Sequence, residues 1–380
     1  MAKDGVRSMS KQIDRIKILV AMSGGVDSSV TAALLKKQGY DVVGVHMLLS
    51  EPVTACGAKL TGRCCSPIDS CDARRVCEKI DIPFYVIDAK DAFRGKVIDN
   101  FIHEYLSCRT PNPCIQCNSE IKFKFLFEKA DELGCESIAT GHYAQIRHDA
   151  IAGKYRLFKA LDPQKDQSYF LFGLTQVVLK RVLMPLGAFP KTLVRKMADE
   201  MGLSVANKED SQEICFVGDG EYKDFIENQT AETLRLKGLI RTTNGQIVGE
   251  HDGLHRYTVG QRKGLKLITN DPGRFFVVGF DSLNRALIVG TEEELFRKDL
   301  FATGVNWITH VDGLRPIKCK ARIRSQHKEA ACVVTLFEND TVRVEFDEPQ
   351  RAITPGQAIV FYDEEEVIGG AVIDRLLSLE

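Results

Sequence analysis

The stretch TPNPCIQCN, residues 110–118, carries two cysteines three apart, Cys114 and Cys117, on a chain stiffened by Pro111 and Pro113. Proline fixes φ and lacks an amide donor, so this stretch reads as neither a helix interior nor a central strand. Thiols at this spacing serve as a zinc hook, a redox pair, a cluster ligand set, or a nucleophile with a helper. A third cysteine, Cys215, stands far along the chain in DSQEICFVG. Behind Ile214 it reads as a small core residue, but the acidic KEDSQE before it argues for an exposed loop. The second chemical motif is AMSGGVDSS: Ala21, Met22, Ser23, Gly24, Gly25, Val26, Asp27 and Ser28, closed by Ser29. It lies between an apolar run and a helical pattern, where backbone amides and a helix N-terminus hold phosphate. Gly24 and Gly25 allow close approach, the serines add hydroxyl donors, and Asp27 can hold Mg²⁺ or cap the helix. An ordinary capped turn needs fewer such residues. The spacing is neither G-x-x-x-x-G-K-[ST] nor G-x-G-x-x-G.

These motifs need a frame. IKILVAM (16–22) is a short apolar, β-branched run and predicts a buried strand. DSSVTAALLKKQG (27–39) has helical spacing, with Val30, Ala33 and Leu34 on one face and Gly39 as the stop. DVVGVHML (41–48) and PFYVID (83–88) read as strands, DARRVCEKI (72–80) as a helix, and 91–106 as a long amphipathic helix. After the cysteine stretch, 119–134 predicts a helix ending on Gly134, and ESIATGHYAQI (136–146) a strand. Strands alternating with helices give an α/β fold, a doubly wound parallel sheet covered on both faces. Past about residue 215 glycines become dense. Residues 273–290 read as a hairpin, and from about 300 mostly strands follow, giving an all-β C-terminal barrel. The expected division is 1–217, a small central domain over 218–295, and a barrel over 296–380.

The 380 residues allow two or three domains. A net charge of -1 means that any nucleic-acid contact comes from local basic patches. The first residues hold no apolar run of signal-peptide length, and no stretch approaches the ~20 apolar residues of a membrane span. The expected location is therefore cytoplasmic, with no membrane partner. Twelve cysteines in a reducing compartment point to metal, sulfur or redox chemistry more than to a disulfide scaffold.

SGGVDS resembles the loop of the PP-loop ATP pyrophosphatases, which cleave ATP between the α and β phosphates and adenylate an acceptor oxygen. RTPNPCIQCNSEIKF (109–123), ATGHYAQ (139–145), KDQSYFLFGL (165–174), DSQEICFVG (210–218) and YTVGQRKGL (257–265) follow in this order. Together they resemble the bacterial tRNA-specific 2-thiouridylase family from Ile16 to about Tyr362. The resemblance implies ATP with Mg²⁺ as cofactor. It implies adenylation of the C2 oxygen of the wobble uridine in the Lys, Glu and Gln tRNAs, and transfer of persulfide sulfur with release of AMP and pyrophosphate. It casts Cys117 as nucleophile and Cys215 as persulfide carrier, joined by a transient disulfide at turnover. A cysteine desulfurase or sulfur-relay protein would be the donor. By the same resemblance Met47 and Gly141 touch adenine or ribose. Asn112, Pro113 and Cys114 face the target base, and His142, Lys165, Asp166 and Gln167 contact tRNA. Arg322, Ile323 and Arg324 lie near the anticodon stem-loop backbone, and Gln357 touches tRNA. Read without the resemblance, His142 is equally a core histidine, the alternating arginines an exposed strand face, and KDQ a polar turn.

One position departs from the family. Its best-known form has aspartate, the proposed general acid/base, where this chain has Cys114. Three outcomes stay open: Cys114 acts as base or resolves the persulfide; it is tolerated while water or His142 moves the proton; or Cys114, Cys117 and Cys215 hold a [4Fe–4S] cluster with an open iron. Cys56, Cys64, Cys65, Cys71 and Cys77 read as mostly structural.

Overall fold

The computed structural model describes residues 16–49, 67–210, 214–217, 221–230, 237–269, 275–311 and 315–376. Cys56, Cys64, Cys65 and their insertion lie outside the described residues. The first seven strands are β1 (Lys17–Ala21), β2 (Asp41–Leu48), β3 (Phe84–Asp88), β4 (Ser137–Ala139), β5 (Gln145–Asp149), β6 (Lys154–Phe158) and β7 (Val182–Leu183). Five form a parallel sheet of order β3-β2-β1-β4-β7. β1 carries apolar residues at every central position because both faces are covered. Ile18 and Val20 join one core with Val30, Ala73 and Val76, and Leu19 joins the other with Val43, Val45 and Phe101. Each such buried side chain contributes about 1.5–3 kcal/mol over an exposed one. The chain leaves β1 toward β2 on one side and later takes up β4 on the other. A crevice opens at such a switch, beyond the carboxyl ends of the strands.

Four helical and strand expectations change. The helix after the cysteines begins earlier than expected, because Pro113 stands at the first helical position, where its missing amide costs nothing. Cys114 and Cys117 therefore lie on a helix, Pro113–Cys117, which runs through a π-helical turn, Asn118–Lys122, into Phe123–Glu132. A second π-helical turn, Arg94–Ile98, interrupts the amphipathic stretch 91–106. The helix expected at 72–80 already starts at Pro67 and ends at Lys79. The strand expected over 136–146 is two: β4 stops at Ala139, and β5 hairpins with β6 in another sheet.

The middle of the chain forms a four-stranded sheet from β8 (Gly238–Thr242), β9 (Ile247–His251), β10 (Phe276–Asp281) and β11 (Ala286–Gly290), in the order β10-β11-β8-β9. β10 and β11 are the expected hairpin. The last six strands are β12 (Phe296–Trp307), β13 (Ile317–Arg322), β14 (Ala330–Leu336), β15 (Val342–Arg351), β16 (Ala358–Asp363) and β17 (Glu366–Leu376). Pairing of β12 with β17 closes them into a barrel. β17 also pairs with β6, so the β5–β6 hairpin extends the barrel wall into the nucleotide-binding part of the chain.

Candidate active site

The phosphate loop folds on its own hydroxyls. The Ser23 amide donates to Ser28 Oγ at 3.1 Å, Ser28 Oγ donates to the Gly25 carbonyl at 3.2 Å, and Ser29 Oγ to the same carbonyl at 2.8 Å. Gly24 sits at φ +79, and a Cβ there would meet the Asp69 carbonyl oxygen at 2.3 Å. It is glycine for both conformational and steric reasons. The helix Val26–Lys37 starts directly after Gly25, with Asp27 in its first turn rather than capping it. Gly141, at the carboxyl end of β4, is forced in another way: a Cβ would lie 2.8 Å from the Ser28 amide nitrogen. Gly141 thus packs against the loop backbone.

A cleft of about 410 Å³ runs from this loop to the cysteines. Of the expected nucleotide residues, Ala21, Met22, Ser23, Gly25, Val26, Asp27, Ser28, Met47 and Gly141 line it. Cys114, Cys117 and Cys215 line the same cleft. Cys117 is buried and Cys114, one turn earlier, is exposed. The Asn112 side chain caps their helix by accepting from the Ile115 amide at 3.4 Å. Cys215 reaches the cleft because its neighbour Phe216 is anchored among Phe93, Phe101 and Phe225, with ring centroids 5.8, 5.2 and 5.3 Å away. Each edge-on pair adds about 0.5–1.5 kcal/mol beyond area burial.

His142 lies inside this cleft with Nδ1 2.9 Å from Thr140 Oγ1. Burial, reinforced by the nearby Lys122 ammonium, pushes its pKa down to about 3, so the ring is neutral at pH 7. Gln167 holds the turn beside it: its Oε1 accepts from the Tyr143 amide at 2.9 Å. Lys165 lines the cleft and pairs with Asp210 at 2.8 Å.

Other residues expected to contact tRNA also make contacts within the fold. The Asp166 side chain, 3% exposed, accepts from the amides of Ala160 and Ser168 and pairs with Arg322 at 3.1 Å. Arg322 also pairs with Glu329 at 2.8 Å and lies over the Tyr362 ring. Ile323 points into the barrel core at 2% exposure. Arg324 donates to the Arg351 carbonyl at 3.2 Å. Gln357 Nε2 donates to the Thr110 carbonyl at 2.9 Å and the Pro111 carbonyl at 3.3 Å, while the Thr110 amide donates to the Pro355 carbonyl at 2.8 Å. The barrel therefore grips the chain just before the cysteine helix. Arg109 strengthens this grip through Glu104 and Asp374.

Sequence reasoning missed a set of charged residues around the loop. Lys191 Nζ donates to both carboxylate oxygens of Asp27 at 2.8 Å and pairs with Asp210 at 2.8 Å. Tyr143 Oη donates to Asp27 at 2.7 Å. Lys208 Nζ bridges Asp69 and Asp72 at 2.7 Å each and donates to the Gly24 carbonyl at 3.0 Å. Burial opposes the charge on Lys208, but the two carboxylates outweigh it and hold its pKa above the usual value. The available signals were faint: a lysine directly after Pro190 and another inside the acidic NKEDSQE. No local pattern pairs Lys191 with Asp27 or Lys208 with Gly24, Asp69 and Asp72, 136 to 184 positions away.

An iron–sulfur cluster would need Cys114, Cys117 and Cys215 to converge. One is exposed, one buried, and among the described residues no three His, Cys, Asp or Glu side chains meet as a metal group requires. As placed they do not fit a cluster, and no step is routed through one.

A doubly wound sheet with this loop at its switch point defines an ATP-using α/β enzyme of the PP-loop class. Family models match three successive parts of the chain: the tRNA methyl transferase HUP domain over 16–219, the tRNA methyl transferase PRC-barrel domain over 223–291, and the aminomethyltransferase beta-barrel domain over 297–373. The tRNA-specific 2-thiouridylase MnmA of Clostridioides difficile (strain 630) is 45% identical over 362 residues, 95% of this chain and 99% of that one. That of Halothermothrix orenii is 48% identical over 362 residues, covering 94% and 98%. A 4-thiouridine synthetase–RNA complex with bound ATP shares 18% identity at a TM-score of 0.35, over 56% of this chain and 50% of that one, too remote to carry weight. The chain belongs to the tRNA-specific 2-thiouridylase family. Among the described residues no helix is long and apolar enough to cross a membrane.

Proposed function

We propose that this enzyme replaces the C2 oxygen of the wobble uridine of the Lys, Glu and Gln tRNAs with sulfur, driven by ATP. The observation that carries the reading is the single cleft lined by both the phosphate loop and Cys117 and Cys215. The family-model descriptions speak of methyl transfer, but a phosphate loop and thiols in one cleft support sulfur transfer. The C2 carbonyl is a poor electrophile. Adenylation of its oxygen releases pyrophosphate and makes AMP a leaving group. The loop amides and serine hydroxyls bind the phosphates. The terminal sulfur of a Cys215 persulfide attacks C2, AMP departs, and the base is left joined to Cys215 through two sulfurs. The Cys117 thiolate then attacks the Cys215 sulfur. The new Cys117–Cys215 disulfide forms as the sulfur–sulfur bond to the base breaks, and the electron pair stays on the base as thiocarbonyl. An external thiol reductant and a fresh persulfide donor, a desulfurase or relay protein, restore the enzyme. Adenylation removes the N3 proton of the base, and it returns as the thiocarbonyl forms; with His142 held neutral by burial, the exposed Cys114 or a water is the group that moves it where the family's aspartate is replaced. Taking the uridine into this cleft requires its extrusion from the anticodon loop.

The test supplies purified enzyme with ATP, a persulfide donor and tRNA transcripts. AMP, pyrophosphate and 2-thiouridine should appear in equal amounts on Lys, Glu and Gln tRNAs only. Nucleotide consumption without tRNA, or thiolation without ATP, overturns the reading.

A further inference from the structure

The cleft has a charge problem. Four acids, Asp27, Asp69, Glu209 and Asp210, line it beside four lysines, Lys122, Lys165, Lys191 and Lys208. A near-neutral cleft does not attract a triphosphate by net field. Attraction has to come from redistributing pairs already present. Two lysines are placed for this. The Lys191 side chain is 9% exposed and stands at the first position of the helix Lys191–Glu200, which has no acidic residue in its first turn. A cation there opposes the helix dipole, so the carboxylates of Asp27 and Asp210 must hold it in place. Lys208 touches the loop backbone at Gly24 while bridging Asp69 and Asp72. Both ammonium groups thus border the loop, one near each of its ends.

We infer that Lys191 and Lys208 grip the β and γ phosphates of ATP, exchanging carboxylate partners for phosphate oxygens when the nucleotide enters. This rests on the ATP-dependent reading above. The exchange has a second result. Asp27 gives both its oxygens to Lys191 in the present arrangement. Drawing Lys191 toward phosphate leaves Asp27 Oδ1 to the Tyr143 hydroxyl and opens Oδ2 to the magnesium that accompanies ATP. Nucleotide and metal sites thereby form together, and AMP, lacking both outer phosphates, leaves the lysines on their carboxylates. The same pairs re-form once pyrophosphate departs, which favours its release after adenylation.

The test is calorimetric binding of ATP, AMP and inorganic pyrophosphate to the full chain, with magnesium. Wild type should prefer ATP over AMP and bind pyrophosphate. Lys191→Gln and Lys208→Gln should each lose roughly tenfold to hundredfold in ATP and pyrophosphate affinity, the worth of a charge-assisted hydrogen bond, with AMP changed less than threefold. Lys208→Gln leaves the buried Asp69 without this ammonium, so the pair Asp69→Asn with Lys208→Gln is the companion variant should the single one fail to fold. It should show the same loss. A purely structural role would lower AMP and ATP binding together, and that result, or an unchanged ATP preference, overturns the inference. Wild type that binds no ATP at all would instead remove the reading beneath it and the inference with it.

Discussion

Substituting Gly141 by alanine tests how β4 positions the phosphate loop. Gly141 is absent from the positive-φ residues, so alanine meets no conformational penalty. Its Cβ would instead lie 2.8 Å from the Ser28 amide nitrogen and 2.9 Å from the Asp27 carbonyl carbon. Ordinary contact begins at 3.4 Å, so the backbone must yield by 0.6 Å, the difference of 3.4 and 2.8. Neither atom belongs to a flexible side chain, and overpacking of this kind costs about 1–3 kcal/mol. The helix start will move rather than the buried strand, because β4 is held by β1 on one side and β7 on the other. Displacing the Ser28 amide misaligns the groups that meet phosphate. We expect ATP affinity to fall roughly 5- to 150-fold, the same energy expressed as binding. Calorimetry reads the affinity and differential scanning the fold. ATP affinity within twofold of wild type, in a protein that melts normally, would refute the assignment of Gly141 to loop packing.

Three more predictions concern the surroundings of the cleft. His142 should stay neutral well below pH 6.5. Its folded pKa is depressed toward about 3, so the unfolded state binds the extra proton and stability falls as pH drops through the window between those values; imidazole resonances moving with a midpoint near 6.5 by NMR would contradict this. Arg322→Ala should destabilise the protein by about 3–5 kcal/mol, since it takes the arginine from the Asp166 side chain, 3% exposed, and leaves Glu329 to Lys159; a normal melting temperature with weakened tRNA binding would show Arg322 to be a surface contact instead. Gln357→Ala removes two hydrogen bonds to the chain ahead of the cysteine helix, worth about 0.5–1.5 kcal/mol each; thiolation should slow while ATP affinity holds, and a loss of ATP affinity would mean the barrel acts on the loop as well.

Much of this arrangement was legible in the residues, for local reasons. The phosphate loop announces itself because glycine, serine and a strand–helix junction are neighbours in sequence. β1 and β2 read correctly because both faces are buried and the apolar run is unbroken. β10 and β11 read as a hairpin because alternation and a tight turn are local too. What failed was set by distance or by a locally misleading residue. ATGHYAQI continues the apolar texture of β4, but the chain must leave the sheet at Ala139 to bring Gly141 and His142 to the cleft. The turn at Gly153, with φ +62, was the available sign that 145–158 is a hairpin of its own. Pro113 argues against a helix interior, yet at the first helical position it opens one. The ion pairs of Lys191 with Asp27 and of Lys208 with Asp69 and Asp72 cross more than 130 positions and leave no periodic trace. That Asp166 and Arg322 stand 3.1 Å apart leaves no trace in the sequence either.

The central claim is that Cys117 and Cys215 work together beside the phosphate loop. The most direct measurement is a single turnover with enzyme carrying one persulfide per chain, ATP and tRNA, without reductant, followed by mass spectrometry of enzyme and tRNA. One Cys117–Cys215 disulfide should form for each 2-thiouridine, and Cys117→Ser should leave the tRNA attached to Cys215. Thiouridine formed in full with both thiols still reduced, or made equally well by Cys215→Ser, would contradict the account.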